Sequence, residues 1–260
     1  MPRIDLVAAP TLDKSVSWVA DRILKIYGEA VAAGDECAIA LAGGSTPQSL
    51  YRLLSSPLWR ARLDWNDVCV YTGDERYVPI GDPRSNYRMI SETLLDNVTI
   101  PARNVHPIPT SAPSIHDDAA TYAETLMDEL PVDAGGLPVF DLVLLGIGAD
   151  GYTAGLFPGS PALREDRRLV VGVRPPAAPA PWITLTAPVI NAARHVIMLA
   201  SGPLKAGALA RMLARAGSAS EIPARAIDPD PGTMTIAADA AACSDLPRVN
   251  LRPGVVMRKI

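Results

Sequence analysis

The chain has 260 residues, 48% of them hydrophobic and 20% charged, and this excludes disorder while giving enough apolar material for one sizeable core. Its 24 basic and 28 acidic residues are mixed along the sequence, for a formal net charge of −4. Such a balance excludes the basic stripe of a nucleic-acid or anionic-membrane surface, but not a small anionic ligand held by a few local donors.

In chain order, the N-terminal MPRIDLVAAP lacks the apolar stretch of a signal peptide, and Ile4 to Val7 reads as a first strand. Asp13 to Ala33 carries Val16, Val19, Ile23 and Ile26 at helical spacing and stops at Gly34. Cys37 to Leu41 is a buried strand, followed by the small-residue loop Ala42 to Thr46 and a helix opened by Pro47 and running through Leu54. Val68 to Tyr71 is a strand and Thr72 to Asn86 a polar loop; helices follow near Tyr87 to Leu95 and Ile115 to Leu130. Phe140 to Leu145 is the most strand-like segment and runs into the glycine-rich stretch Gly146 to Gly151. Leu169 to Val173 and Ile183 to Thr186 read as strands separated by the proline-rich Arg174 to Pro181. Val196 to Leu199 is another strand, turning at Ser201-Gly202-Pro203 into a helix over Leu204 to Ala214. Thr235 to Ala237 is the last strand, with a short helix from Asp239.

This alternation predicts an α/β fold: an open, mostly parallel sheet flanked by helices on both faces, Rossmann-like. Residues 1–242 are read as one domain and 243–260 as a weakly structured C-terminal tail. No segment approaches a membrane span. Cys37, Cys69 and Cys243 are widely spaced; the first two lie in strand-like runs as small hydrophobes, and no metal-ligand spacing occurs. The expected compartment is the cytoplasm.

In an open α/β sheet, ligands bind beyond the carboxyl ends of the strands. Four unusual loops follow predicted strands: Gly43 to Pro47, Thr72 to Asn86, Gly146 to Gly159 and Ser201 to Lys205. A parallel sheet gathers all four on one edge. Gly43 and Gly44 allow close backbone approach, and Ser45 and Thr46 offer hydroxyls and amides before a helix N-terminus, which favours phosphate. A tight turn with an N-cap explains the same residues nearly as well. Asp74, Glu75 and Arg76 place two carboxylates beside a guanidinium able to clamp phosphate, or form a solvated charge cluster. Lys205 sits in the first turn of a helix, against the dipole; an anionic partner accounts for it, as does simple exposure. Gly-x-Gly-x-x-Gly at 146–151 stands mid-chain with no suitable acidic residue about 20 residues on, so a nucleotide cofactor is not expected.

Together these segments resemble the 6-phosphogluconolactonase family, in the superfamily that also holds glucosamine-6-phosphate deaminase and ribose-5-phosphate isomerase. The resembling stretches are LAGGSTP at 41–47, GDERYVP at 73–79 with SN at 85–86, LGIGADG at 145–151, TAGLFPG at 153–159, TLT at 184–186 and SGPLKAGAL at 201–209. DERYVP and LFPG look like the lactonase branch rather than the deaminases. The resemblance implies hydrolysis of 6-phospho-glucono-δ-lactone to 6-phosphogluconate in the oxidative pentose phosphate pathway, by a monomer with no metal and no cofactor. It also implies phosphate binding by Gly43, Gly44, Ser45, Thr46, Arg76 and Lys205, with Asp74 helping to place the substrate.

Two positions depart from the family pattern. Tyr152 stands where the resemblance implies a histidine general base, and Trp182 where it implies an arginine. A phenolate at pH 7 costs about 4–5 kcal/mol, and positioned general-base catalysis is worth roughly 10²–10⁴-fold. Tyr152 would have to be strongly activated, or a carboxylate raised by burial, Asp150, Asp74 or Glu75, would activate the water instead. The alternatives are a non-catalytic paralogue that binds a sugar phosphate, and an enzyme shifted to another sugar phosphate or lactone, with Trp182 stacking on or narrowing the pocket.

Overall fold

The computed structural model describes residues 3–175 and 180–260; residues 176–179 of the proline-rich stretch, and residues 1 and 2, lie outside it. Eleven strands and seven α-helices alternate among the described residues. In order they are β1 (Ile4–Ala9), α1 (Leu12–Ala33), β2 (Cys37–Leu41), α2 (Ser45–Leu54), α3 (Pro57–Arg60), β3 (Val68–Thr72) and β4 (Asp74–Arg76). Then come α4 (Asn86–Thr93), β5 (Val105–His106), α5 (Ile115–Glu129), β6 (Leu142–Gly146), β7 (Val170–Val173) and β8 (Trp182–Leu185). The chain closes with α6 (Ala187–Asn191), β9 (His195–Ala200), α7 (Ala206–Leu213), β10 (Thr233–Asp239) and β11 (Val255–Lys259).

The main sheet has eight strands in the order β11-β1-β10-β9-β6-β2-β3-β5, and every pairing in it is parallel. Alternation along the strands divides the core into two layers. Ile39, Leu41, Val70, Leu144 and Leu199 pack with Val19 and Ile23 of α1 and Leu50 and Tyr51 of α2. Ala38, Ala40, Tyr71, Val143 and Met198 pack on the other side with Tyr122 and Leu126 of α5 and Leu209 and Met212 of α7. Continuous apolar runs such as LVLL at 142–145 are what a strand buried on both faces requires. The open, mostly parallel sheet with helices on both faces is therefore the observed architecture.

The structure departs from the sequence reading in several places. The predicted loop 72–86 contains β4, which pairs antiparallel with β8, itself antiparallel to β7. These three strands form a separate small sheet, so the strands predicted at 169–173 and 183–186 are present but lie outside the main sheet. Helix α2 starts at Ser45, two residues before Pro47, and α7 starts after Lys205 because Pro203–Lys205 forms a single 3-10 turn. No α-helix follows Asp239; hydrogen-bonded turns lead instead to a 3-10 turn at Leu246–Arg248. The two-residue β5 was too short to carry a periodic signal. Finally, the tail expected at 243–260 contributes β11, which pairs with β1 from Ile4↔Val255 to Ala8↔Lys259 and forms an edge of the main sheet.

Candidate active site

Strands β9, β6, β2 and β3 are consecutive in the main sheet. Their carboxyl ends lead into the four loops singled out in the sequence, and those loops meet in one cleft. It is a cavity of about 210 Å³ lined by Gly43, Gly44, Ser45, Thr46, Asp74, Arg76, Asn86, Tyr152, Trp182 and Lys205, among others. The sheet order reverses between β2 and β6, which puts the cleft at the topological switch point where such sheets bind ligands.

Each wall has a local cause. The Tyr51 hydroxyl accepts from the Ala42 N–H (2.9 Å) and donates to the Ala42 carbonyl (2.7 Å), pinning the start of the loop after β2 from inside the core. Gly44 then caps α2, leaving Ser45 and Thr46 in its first turn, where amides have no partner within a helix. Gly43 is demanded by packing: a Cβ there would lie 2.0 Å from Oδ1 of Asn86.

Asn86 ties the β3 loop together. Its Nδ2 donates to the Asp74 carbonyl (2.9 Å) and to Asp74 Oδ2 (3.0 Å), while its Oδ1 accepts from Arg76 Nη1 (2.8 Å). Arg76 Nη1 also donates to the Arg84 carbonyl (3.0 Å); its Nε and Nη2 donate to nothing among the described residues. Glu75 faces away from the cleft. Its carboxylate accepts from the amides of Arg76 (2.7 Å), Asn86 (2.7 Å) and Tyr87 (2.8 Å) and from the Ser85 hydroxyl (2.9 Å), fixing the N-terminus of α4. Glu75 is thus removed from the candidate bases by saturation of its lone pairs.

Arg76 and Trp182 are directly opposite one another across β4 and β8. Opposed residues on one face stand close enough for their side chains to stack, and the Arg76 guanidinium lies 4.3 Å from the Trp182 ring centroid. Phe157 meets that indole edge-on at 5.5 Å and stacks on Tyr152 at 5.1 Å. An aromatic wall runs from Tyr152 through Phe157 to Trp182 and ends on Arg76. Asp150 is exposed and outside the cleft lining; its Oδ1 accepts from the Tyr152 amide (3.2 Å) and shapes the turn. None of the three histidines lines the cleft: His106 stacks on Tyr71, His195 contacts Thr233, and the His116 amide donates to Ser114.

Residues 10–236 match the family model described as glucosamine-6-phosphate isomerases/6-phosphogluconolactonase. The chain belongs to this family. The 6-phosphogluconolactonase of Synechocystis sp. is 41% identical over 231 residues, covering 88% of this chain and 92% of that protein. The 6-phosphogluconolactonase of Streptomyces coelicolor is 37% identical over 236 residues, covering 88% and 89%. Among solved structures, the 6-phosphogluconolactonase of Trypanosoma brucei superposes with a TM-score of 0.83 at 31% identity, covering 95% of this chain and 99% of that one.

The electrostatics of this lactonase-family cleft turn on Asp74. Burial, reinforced by the Glu75 carboxylate, pushes its carboxyl up to about 7, against the opposing pull of Arg76 and the Asn86 hydrogen bond. A carboxyl that changes protonation near neutrality is suited to take a proton and return it. Tyr152 moves the wrong way for a base. Burial first, and the Asp74 charge second, lift its phenol above the ordinary value, so at neutral pH it is an O–H donor and not a phenolate.

Of the residues the sequence assigned to the site, Gly43, Gly44, Ser45, Thr46, Asp74, Arg76, Tyr152 and Lys205 line the cleft, whereas Asp150, also expected there, does not. Sequence reasoning missed Asn86 as a site residue, although the Ser-Asn pair following the Asp-Glu-Arg run was the available signal.

Proposed function

We propose that this chain is a 6-phosphogluconolactonase, hydrolysing 6-phospho-glucono-δ-lactone to 6-phosphogluconate, with Asp74 in place of residue 152 as general base. One observation carries the proposal: a buried carboxyl poised at about 7 opens onto the same cleft as a helix N-terminus, an arginine and a lysine. The phosphate is held by Gly43 to Thr46 at the start of α2, with Lys205 and the unengaged nitrogens of Arg76. Family membership and the lactonase names of the relatives support this substrate.

In the reaction, water adds to the lactone carbonyl carbon as Asp74 takes its proton. The tetrahedral oxyanion is stabilised by donors of the cleft, the neutral Tyr152 hydroxyl among them. Collapse breaks the bond from the carbonyl carbon to the ring oxygen. Asp74 returns the proton to that oxygen, leaving the hydroxy acid, which ionises. Asp150 only supports the turn that presents Tyr152.

Arg76 covers one face of the Trp182 indole. Trp182 narrows the cleft and holds the guanidinium. Action as a monomer on a phosphorylated sugar lactone belongs to the same proposal. Three free thiols, two of them buried, fit a reducing cytoplasm. Among the described residues no helix is long and apolar enough to cross a membrane.

The test is hydrolysis of freshly generated 6-phospho-glucono-δ-lactone with the spontaneous rate subtracted. Turnover well above background, far more efficient than on the unphosphorylated lactone, is expected. Tight binding of 6-phosphogluconate without turnover would make the protein a sugar-phosphate binder instead.

A further inference from the structure

The segment that delivers Lys205 to the cleft has almost nothing of its own to hold it in place. Between β9 and α7 the chain passes through Ser201 and Gly202, the latter at φ +86°, and then through a single 3-10 turn closed by the Lys205 amide on the Gly202 carbonyl (3.1 Å). Pro203 is exposed and Leu204 is 81% exposed, so the turn buries no apolar anchor. Lys205 occupies the N-cap of α7 and makes no side-chain capping bond.

What holds the turn comes from the neighbouring strand. Ala200 pairs with Ala238, so Asp239 at the end of β10 stands beside Ser201. Asp239 is 7% exposed and does not line the cleft. Its Oδ2 accepts from the Ser201 hydroxyl at 2.5 Å, and both its oxygens accept from the Gly202 amide at 3.1 Å. Oδ1 also takes the Ala242 amide at 2.8 Å, fastening the carboxylate to the chain that follows β10. Charge-assisted bonds of this kind are the stronger class and hold direction well.

We propose that Asp239 is a positioning residue for substrate phosphate: by gripping Ser201 and Gly202 it sets where Lys205 enters the cleft, without touching ligand itself. This rests on the assignment of Lys205 to phosphate. Burial works against the charged carboxylate, but the donors from Ser201, Ala242 and Gly202 outweigh it and keep Asp239 below its ordinary range, hence ionised at neutral pH. Asparagine in its place turns one acceptor oxygen into an amide NH₂ donor facing a backbone N–H, so at least one of these bonds is lost.

The experiment is calorimetric binding of 6-phosphogluconate and of unphosphorylated gluconate to the full chain, to Asp239→Asn, to Lys205→Met and to the double variant. Asp239→Asn is expected to weaken 6-phosphogluconate about tenfold, to leave gluconate unchanged, and to add nothing in the Lys205→Met background. Equal losses for both ligands, or a loss that adds to that of Lys205→Met, overturn the inference by making Asp239 a general stabiliser. Should Asp239→Asn not fold, Ser201→Ala decides. It deletes one grip and is expected to show the same phosphate-selective loss at about threefold; unchanged affinity overturns the proposal. If the unmodified protein binds 6-phosphogluconate no better than gluconate, the Lys205 assignment itself fails, and this inference with it.

Discussion

Asp74 and Tyr152 show how far a residue's environment can reassign its work. A tyrosine in a glycine-rich loop reads as a nucleophile, a base or a wall, and nothing in its neighbours along the chain decides among them. What bears on the choice is Asp74, which approaches from another strand, with its charge among the causes that raise the phenol above its ordinary value. The same burial has a thermodynamic consequence. Unfolded, Asp74 titrates near 3.9; folded, it keeps its proton up to about 7. The native state therefore binds more protons between these values, and stability falls as pH rises from about 4 to about 7. Asp74→Asn should be more stable than the parent above pH 7, by on the order of 2–4 kcal/mol, with the difference vanishing by pH 4; urea melts at several pH values measure this. Trp182→Arg makes the opposite electrostatic change. A second guanidinium beside Arg76 pulls the Asp74 carboxyl down, so the pH at which the rate rises should drop by roughly one unit. Loss of the stack with Arg76 and burial of a new charge should also lower the melting temperature.

At the scale of elements, the glycine-rich loop before α2 was legible because its chemistry is local: small residues, then hydroxyls, then a helix. The small sheet was not. Strand β4 is three charged residues, and its pairing with β8 spans more than a hundred positions, so neither periodicity nor composition announces it. That pairing is nevertheless what brings Trp182 to Arg76 and gives the cleft its aromatic wall. Strand β11 was missed for a related reason: Val255 to Lys259 is mostly exposed on a sheet edge and carries Arg258 and Lys259, the charges by which edge strands are kept from pairing further. Its contribution can be tested by truncation. Removing residues 250–260 uncovers β1 and deletes the Arg252 amide bond to the Leu213 carbonyl, 2.8 Å long, at the end of α7. The melting temperature should fall by roughly 5–10 °C, while kcat at 20 °C stays within about twofold, since β11 lies at the sheet edge away from the switch point.

Across the whole molecule, the parallel sheet converts a one-dimensional list of loops into a site. Four loops spread between Gly43 and Lys205 share a cleft because β9, β6, β2 and β3 are neighbours, and that convergence followed from the predicted strand–loop–helix alternation alone. What the alternation could not supply is which carboxylate faces inward. Glu75 and Asp74 are adjacent in sequence and alternate across a strand, so one caps α4 with all its lone pairs while the other opens on the cleft. On the proposed function, the loops hold phosphate and one buried cleft carboxyl moves the proton. The most direct test of this assignment is the pH–rate profile of lactone hydrolysis above the spontaneous rate, for the unmodified protein and Asp74→Asn. The rate is expected to rise with an apparent pKa near 7 in the unmodified protein and to fall by 10²-fold or more in the variant. A variant that hydrolyses the lactone as fast as its parent, or a parent silent until Tyr152 is replaced by histidine, would contradict the assignment.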